Sequence, residues 1–123
     1  MHIIIDTHIF LWALADPDKM SEARRAALED LSNVIYVSAI SIAELMIKAS
    51  LGRLQIDFDP VAMAKDSGFT LLDFKAEAAL LLKDMPLHHK DPFDRMLIAQ
   101  SVTDDYPIMT EDSKFALYDC ELI

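Results

Sequence analysis

The sequence has almost no cysteine and no long apolar run. Cys120 is the only cysteine among 123 residues, so an intrachain disulfide is impossible and a reducing compartment is expected. No apolar stretch approaches the ~18 residues that a transmembrane helix needs. The N-terminal segment MHIIID has no basic region and an acid at its end, so we do not expect a signal peptide. These absences predict a cytoplasmic protein.

Basic residues are also scarce. Lysine and arginine total 11 against 21 aspartates and glutamates, which leaves a formal net charge of −10. The overall field of such a protein does not attract nucleic acid. Any contact with a phosphate backbone must therefore be local or carried by a bound cation. The same charge favours a basic protein partner.

Length and composition predict one domain spanning residues 1–123. Apolar residues make up 53% of the chain, which is enough to supply a hydrophobic core. The sequence contains no internal repeat, no low-complexity segment and no obvious linker.

Short apolar segments alternate with helical patterns along the chain. Predicted strands are HIII (2–5), VIYV (34–37), FTLL (69–72) and PIM (107–109), with a short fifth in DCELI (119–123). Predicted helices begin after Thr7 and Ser21 as N-caps, at about residue 39, after Asp59, at residue 75 and at Pro92; Gly52 and Gly68 end two of them. This alternation predicts an α/β fold with three α/β/α layers and a central parallel sheet of four to five short strands.

Topology alone places three of four candidate acids at one edge of that sheet, and the fourth can join them if its helix starts there. Asp6 follows the first strand, Glu44 lies on the helix after the second strand, and Asp112 closely follows the fourth. Asp94 lies in the first turn of its helix. Ligands in such folds bind beyond the carboxyl ends of the strands.

A cluster of carboxylates at neutral pH requires a cation or bound protons. Hard divalent ions such as Mg²⁺ or Mn²⁺ prefer carboxylate oxygens, lower the pKa of bound water and neutralise charge on a phosphoryl group. The pattern therefore suits phosphodiester hydrolysis, and the ion supplies the positive charge that the surface lacks.

The sequence resembles the PIN domain, specifically VapC-type toxins of bacterial and archaeal toxin–antitoxin pairs. The resemblance is carried by IIIDTHIFLWAL, VSAISIAELMIKASLGRL, MPLHHKDPFDRMLIAQ and MTEDSKFALYDCELI. It implies a Mg²⁺- or Mn²⁺-dependent endoribonuclease that acts as a homodimer, leaves 5′-phosphate and 3′-hydroxyl ends, and is blocked by a cognate antitoxin. The family's acids correspond to Asp6, Glu44, Asp94 and Asp112. Ala43 and Ser101 depart from the tryptophan and alanine that relatives commonly carry.

Each candidate acid also has a structural interpretation. Asp6 could be a turn residue at the end of its strand. Glu44 lies three residues after Ser41, which is also the spacing of a capping box, unless the helix begins at Ser38. Asp112 could cap the turn of TEDSKF, and Glu111 beside it is a rival for its role.

Supporting roles are expected for the hydroxyls of Thr7, Ser41, Thr110 and Ser113. Thr110 and Ser113 are either local turn hydroxyls or groups that orient a water molecule at the ion. Lys48 lies one helical turn beyond Glu44, where it is either a surface charge or a phosphate contact.

The remaining candidates are interpreted as structural. Adjacent histidines, His88 and His89, cannot point the same way from an extended chain, and no third nitrogen or sulfur ligand lies at a suitable spacing, so zinc is not expected. Trp12 is interpreted as a core or dimer contact.

Asp91 and Asp94 flank Pro92 and are predicted to have different roles. With Pro92 at the first helical position, Asp91 becomes the N-cap and can accept hydrogen bonds from the amides of residues 93 and 94. Asp91 also lies four residues before Arg95, a favourable spacing for an ion pair. Asp94 is then free to act chemically.

Functions of other classes fit less well. A phosphorelay receiver needs paired acids after the first strand, whereas this chain has DTH there. A phosphatase of the haloacid dehalogenase type needs an aspartate two residues after Asp6, and that residue is His8. A non-catalytic acidic module that binds a metal or a partner remains the alternative.

Overall fold

The computed structural model describes residues 1–123 as an open parallel sheet in the order β3-β2-β1-β4. The strands are β1 (His2–Ile5), β2 (Val34–Ser38), β3 (Thr70–Leu72) and β4 (Ile108–Met109). All neighbouring pairs are parallel, and Ile5 lies beside Val37 on one side and Met109 on the other. The parallel α/β architecture predicted from the sequence is confirmed.

The sheet has four strands, within the predicted four to five, and the possible fifth at 119–123 does not extend into a strand. Its segment makes one isolated parallel bridge, between Ile108 and Leu122. Two hydrogen bonds flank this bridge: the Ile108 amide donates to Glu121, and the Ile123 amide donates to Ile108. Because β4 has only two residues, it offers too short an edge for a full neighbouring strand.

Six α-helices connect and cover the strands. They are α1 (Thr7–Ala15), α2 (Glu22–Glu29), α3 (Ala39–Ser50), α4 (Pro60–Asp66), α5 (Ala76–Leu80) and α6 (Pro92–Asp104). Short 3₁₀ turns occur at Pro17–Lys19, Leu81–Lys83 and Ser113–Leu117. None of these helices has both the length and the apolar character needed to cross a lipid bilayer.

Helix boundaries follow local capping chemistry. The Ser21 hydroxyl accepts from the Arg24 amide at 3.2 Å, and Asp59 accepts from the first-turn amides of α4. Gly68, which follows α4, has φ +80°, a conformation that L side chains disfavour. The expected N-cap at Thr7 is wrong: α1 already includes Thr7, and Asp6 is the cap.

Successive side chains of β1 point to opposite faces of the sheet, so the strand contributes to two separate parts of the core. Ile3 and Ile5 pack into a cluster that includes Phe10 of α1. Ile4, between them, packs on the opposite face with Leu97 of α6. All three isoleucines are fully buried, and each such side chain contributes roughly 1.5–3 kcal/mol relative to exposure.

The strand order reverses beside β1. The chain proceeds from β1 outward to β2 and β3, then returns to add β4 on the other side of β1. In open α/β sheets a crevice forms beyond the carboxyl ends of the strands at this reversal. Asp6 directly follows β1 and Thr110 directly follows β4, so both lie at this crevice.

Candidate metal centre

Asp6 is buried, and the chain holds both of its carboxylate oxygens. Oδ1 accepts from the Ile9 amide at 2.8 Å, which makes Asp6 the N-cap of α1, and Oδ2 accepts from the Thr110 hydroxyl at 2.6 Å. Burial raises the pKa of Asp6, although the Thr110 and Ile9 hydrogen bonds oppose this shift. Asp6 therefore caps α1 through one oxygen, and its other oxygen is held by Thr110 at the end of β4.

Glu44 lies in the second turn of α3, because that helix begins at Ala39. Ser38 caps it, its hydroxyl accepting from the Ile40 amide at 3.0 Å, so Ser41 and Glu44 do not form a capping box. The Glu44 side chain is buried and accepts from the Thr7 hydroxyl at 2.7 Å.

The other Glu44 oxygen receives a hydrogen bond from Lys48. This bond is the main cause of the raised pKa of Lys48. Ser41 Oγ lies 3.0 Å from Thr7 Oγ1 and completes the polar contacts on this side.

The two aspartates around Pro92 have different surroundings. Asp91 Oδ1 accepts from the amides of Phe93 at 2.9 Å and Asp94 at 3.1 Å, which is the geometry of an N-cap. The carboxylate of Asp94 accepts no main-chain amide and is turned toward the other acids. Asp91 thus begins the helix, and the carboxylate of Asp94 takes no part in capping it.

The expected ion pair between Asp91 and Arg95 does not form. The Arg95 guanidinium instead donates to carbonyls of the loop that precedes α6: those of Leu82, Met85, Pro86 and His89. The loop carbonyls compete with Asp91 for the Arg95 side chain. Residue spacing along the helix could not reveal these carbonyls, because they depend on how the loop folds.

Asp94 has the most perturbed carboxyl group of the site. Burial and then the charge of Asp91 raise its pKa to about 7, and the charges of Glu44 and Asp6 add to the shift. His89 acts in the opposite direction. His89 thus offsets only part of the effect of burial and like charges, and the pKa of Asp94 stays raised.

Asp112 begins the final 3₁₀ turn, where its Oδ1 accepts from the Lys114 amide at 2.9 Å. Partial burial acts to raise the pKa of Asp112, but the Lys114 amide and the His89 ring outweigh burial, and the pKa is lowered. The rival acid, Glu111, is paired with Arg24.

His89 belongs to the acid cluster, which the sequence interpretation missed. Its Nε2 hydrogen-bonds Asp112 Oδ2 at 2.9 Å and lies 3.0 Å from Asp94 Oδ2. The ligand atoms of these three residues all lie within 4.8 Å of one another. His88 is exposed and packs its ring edge-on against Tyr118. The sequence could have indicated this contact, because His89 lies in the short turn that leads directly into the helix carrying Asp94.

One cleft of about 240 Å³ brings three of the four acids together: Asp6, Asp94 and Asp112 line it with His8, Trp12 and Glu111. Glu44 does not line the cleft, but its charge acts on the pKa of both Asp6 and Asp94. Trp12 packs partly on the core and also faces this cleft, so its interpretation as a core or dimer contact alone was incomplete.

Three of the four expected supporting hydroxyls lie beside the acids, and one does not. The Thr110 hydroxyl donates to the Asp6 carboxylate and accepts from the main-chain amide of Asp112 at 3.0 Å. Thr7 and Ser41 surround Glu44. Ser113 is exposed, and its hydroxyl makes no hydrogen bond to the acids.

The donor chemistry of the cluster fits a hard divalent cation. Carboxylate oxygens predominate, as Mg²⁺ and Mn²⁺ prefer. The raised pKa of Asp94 reflects burial beside like charges, and a positive ion among these oxygens would relieve both effects.

Comparisons with known proteins agree with this fold. A family model described as PIN domain matches residues 3–119. No curated protein sequence matches the chain significantly.

Solved structures resemble the chain over nearly its whole length. VapBC2 of Rickettsia felis bound to promoter DNA has a TM-score of 0.74 at 16% identity, with 100% of this chain and 98% of that chain covered. VapBC-1 of nontypeable Haemophilus influenzae has a TM-score of 0.69 at 17% identity, covering 100% and 97%. The PIN domain endonuclease Utp24 has a TM-score of 0.54 at 23% identity, covering 94% and 74%.

Proposed function

The chain belongs to the PIN domain family, and on this premise we propose that it is a metal-dependent endoribonuclease, the toxin of a VapBC-type pair. The observation that carries the proposal is the convergence of Asp6, Asp94 and Asp112 in one cleft at the reversal point of a parallel sheet. The catalytic unit is one PIN-like domain over residues 1–123.

Asp6 and Asp94 are the principal ligands for Mg²⁺ or Mn²⁺, and Glu44 and Asp112 act directly or through water. A cation held by these residues would supply Lewis acidity to activate water and positive charge to offset the phosphoryl oxygens. No side chain needs to be the nucleophile.

The chain's own contribution is to hold the carboxylates in place. The Thr110 hydroxyl and the Ile9 amide orient Asp6. The Thr7 hydroxyl orients Glu44. Asp91 begins α6 and so sets where Asp94 lies, without using its own carboxylate for chemistry. Catalysis would then rest mainly on preorganised charges, which stabilise the charge that develops on the phosphate in the transition state.

RNA is the proposed substrate although the protein carries a net charge of −10. Its approach to the acid cluster depends on the bound cation, with Lys48 as a candidate phosphate contact beside Glu44. Such a site predicts weak RNA binding without metal.

The direct test is cleavage of a mixed RNA by the purified protein with Mn²⁺, with Mg²⁺ and with EDTA. We expect cutting only with metal, and 5′-phosphate and 3′-hydroxyl ends on the products. The matched control is the Asp6→Asn/Asp94→Asn double variant, which should be inactive but folded. A wild-type protein that binds Mn²⁺ and leaves every RNA intact would favour the non-catalytic alternative.

A cognate antitoxin is the proposed protein partner. The fold neighbours from Rickettsia felis and Haemophilus influenzae are VapBC complexes, and the Rickettsia felis complex is bound to a promoter fragment. The acidity of this chain suits a small protein that places an arginine or lysine at the acid cluster and has a basic DNA-binding end. Copurification with the product of a neighbouring gene, followed by loss of RNA cleavage in the complex, tests this assignment.

A homodimer is proposed as the assembly of the chain. An apolar groove of about 280 Å³ lies between α5 and α6, with Leu80 at 77% and Val102 at 45% exposure on its rim. Sedimentation of the wild type and of a Leu80→Lys variant tests the assembly and this face separately.

A further inference from the structure

We propose that His89 is a positioning residue of this centre: its Nε2–H holds the carboxylates of Asp112 and Asp94 in place, and the ring is not itself a metal ligand. The inference rests on the nuclease function proposed above. It assigns a role to a side chain that sequence reasoning had set aside.

The main chain sets the tautomer of His89. The amide of Asp91 donates to His89 Nδ1 at 3.2 Å. A nitrogen that accepts a hydrogen bond carries no proton, so the proton of the neutral ring is on Nε2. That N–H faces Asp112 Oδ2 at 2.9 Å, with Asp94 Oδ2 3.0 Å from the same nitrogen.

A ligand role would require the opposite tautomer. Binding an ion through Nε2 needs a lone pair there, and the ring proton would then have to move to Nδ1. At Nδ1 it would meet the N–H of Asp91, so two donors would face each other and the existing hydrogen bond would be lost. The geometry therefore makes His89 a donor to carboxylates.

The ring is rigidly held where it donates. Its side chain is only 9% exposed, and its edge packs at 83° against Phe115 with centroids 5.9 Å apart. The His89 amide donates to the Tyr118 hydroxyl at 2.8 Å. Phe115 and Tyr118 belong to the segment that Asp112 begins, so the histidine joins that segment to the start of α6.

This link connects two segments that otherwise repel. Asp94 and Asp112 come from different parts of the chain and bring like charges close together. A hydrogen-bond donor between them offsets this repulsion and leaves the remaining oxygens for an ion. Partners of this kind typically change metal affinity or activity about 10–100-fold when they are removed.

Three substitutions separate a donor from a ligand. His89→Gln places an amide N–H near the position of Nε2 and keeps the donor. His89→Asn is the matched shorter amide, which cannot reach the carboxylates. His89→Glu keeps a potential metal ligand and loses the donor. His88→Asn is the control at the neighbouring exposed histidine.

The first measurement is Mn²⁺ affinity by titration calorimetry on the folded variants, with kcat and KM for an RNA substrate measured alongside. We expect His89→Asn and His89→Glu to weaken Mn²⁺ binding by about 10–100-fold. His89→Gln should recover most of the loss, and His88→Asn should match the wild type. Recovery by Glu and not by Gln would overturn the donor role, as would wild-type affinity in the Asn variant.

The second measurement is independent of metal. ¹⁵N shifts of the His89 ring in metal-free protein at mildly alkaline pH report the tautomer, and we expect the proton on Nε2. A proton on Nδ1 would overturn the inference while leaving the nuclease proposal intact. A protein that binds Mn²⁺ in the expected variant order but cuts no RNA would refute the nuclease function and leave the positioning role standing. Failure of the wild type to bind Mn²⁺ would refute both.

Discussion

The two ends of helix α6 hold partly buried aspartates in opposite ways. At the C-terminal end, the side chain of Asp104 is 5% exposed and pairs with Lys75 at 2.9 Å. At the N-terminal end, Asp94 has no lysine or arginine within ion-pair distance, and burial beside Asp91 raises its pKa to about 7. An acid at a helix C-terminus opposes the helix dipole, yet the acid at that end is the one with a cation.

The contrast indicates what each carboxylate is for. A buried charge that serves structure has its counter-charge within the chain, because an unpaired buried charge costs several kcal/mol. Asp94 has only the His89 ring beside it, in a cleft that opens to solvent. No lysine or arginine pairs with it, and a bound cation would supply the missing counter-charge.

The largest expected effect is on catalysis. Asp94→Asn should lower RNA cleavage by more than about 100-fold, since a lost ligand exceeds the loss from removing a supporting residue. In EDTA the variant should be as stable as the wild type or more so, because a like charge leaves the cluster.

Asp104→Asn is the matched control on the same helix. It should keep cleavage and lose stability, because the variant leaves Lys75 without its partner. Urea unfolding measures the stability of the two variants, and cleavage assays measure their activity. Equal activity in the two variants would refute the contrast between the helix ends.

Added Mn²⁺ should stabilise the protein by binding at the N-terminal end of helix α6 and not at its C-terminal end. An ion that binds the folded state at 100 times its Kd contributes about 2.7 kcal/mol, which is a shift of several degrees in Tm. The Asp6→Asn/Asp94→Asn variant should lose this shift and Asp104→Asn should keep it. Differential scanning with and without the ion measures the effect, and a shift of equal size in the double variant would place the ion elsewhere.

Stability of the metal-free protein should fall as pH rises from about 4 to about 7. The folded pKa of Asp94 is about 7, above the ordinary aspartate value of 3.8, so the folded state binds more protons than the unfolded state across this window. Asp91, His89, Glu44 and Asp6 surround the group and shape the curve. Urea unfolding midpoints measured in EDTA across this range give the slope of stability against pH. The Asp94→Asn substitution should flatten that slope. An unchanged slope in the variant would mean that another group causes the pH dependence.

The smallest effect is expected from Asp91→Ala. Loss of the N-cap should lower the free energy of unfolding by ~1 kcal/mol, with most cleavage retained. The main-chain amide that contacts His89 survives this substitution, which is a further reason for activity to persist. A variant that is stable and inactive would reverse the roles assigned to Asp91 and Asp94.

The sequence by itself determined the features that depend on neighbouring residues. Strand and helix alternation predicted the parallel sheet, because the period of apolar residues is a local property. The Asp91-Pro92 pair placed the start of α6, since capping uses amides two and three residues ahead. Chain order alone also put Asp6 and Asp112 beyond the ends of two strands.

Other features were decided only by tertiary structure, because their partners are distant in the chain. Arg95 turned from Asp91 to loop carbonyls, and the expected fifth strand was reduced to one bridge beside the short β4. Glu44 faces inward because Thr7, 37 residues earlier, donates to it. His89 reaches Asp112, 23 residues away, only after the loop before α6 folds against the segment after β4. Spacing along the chain carries no information on such contacts, since they depend on how separate segments pack.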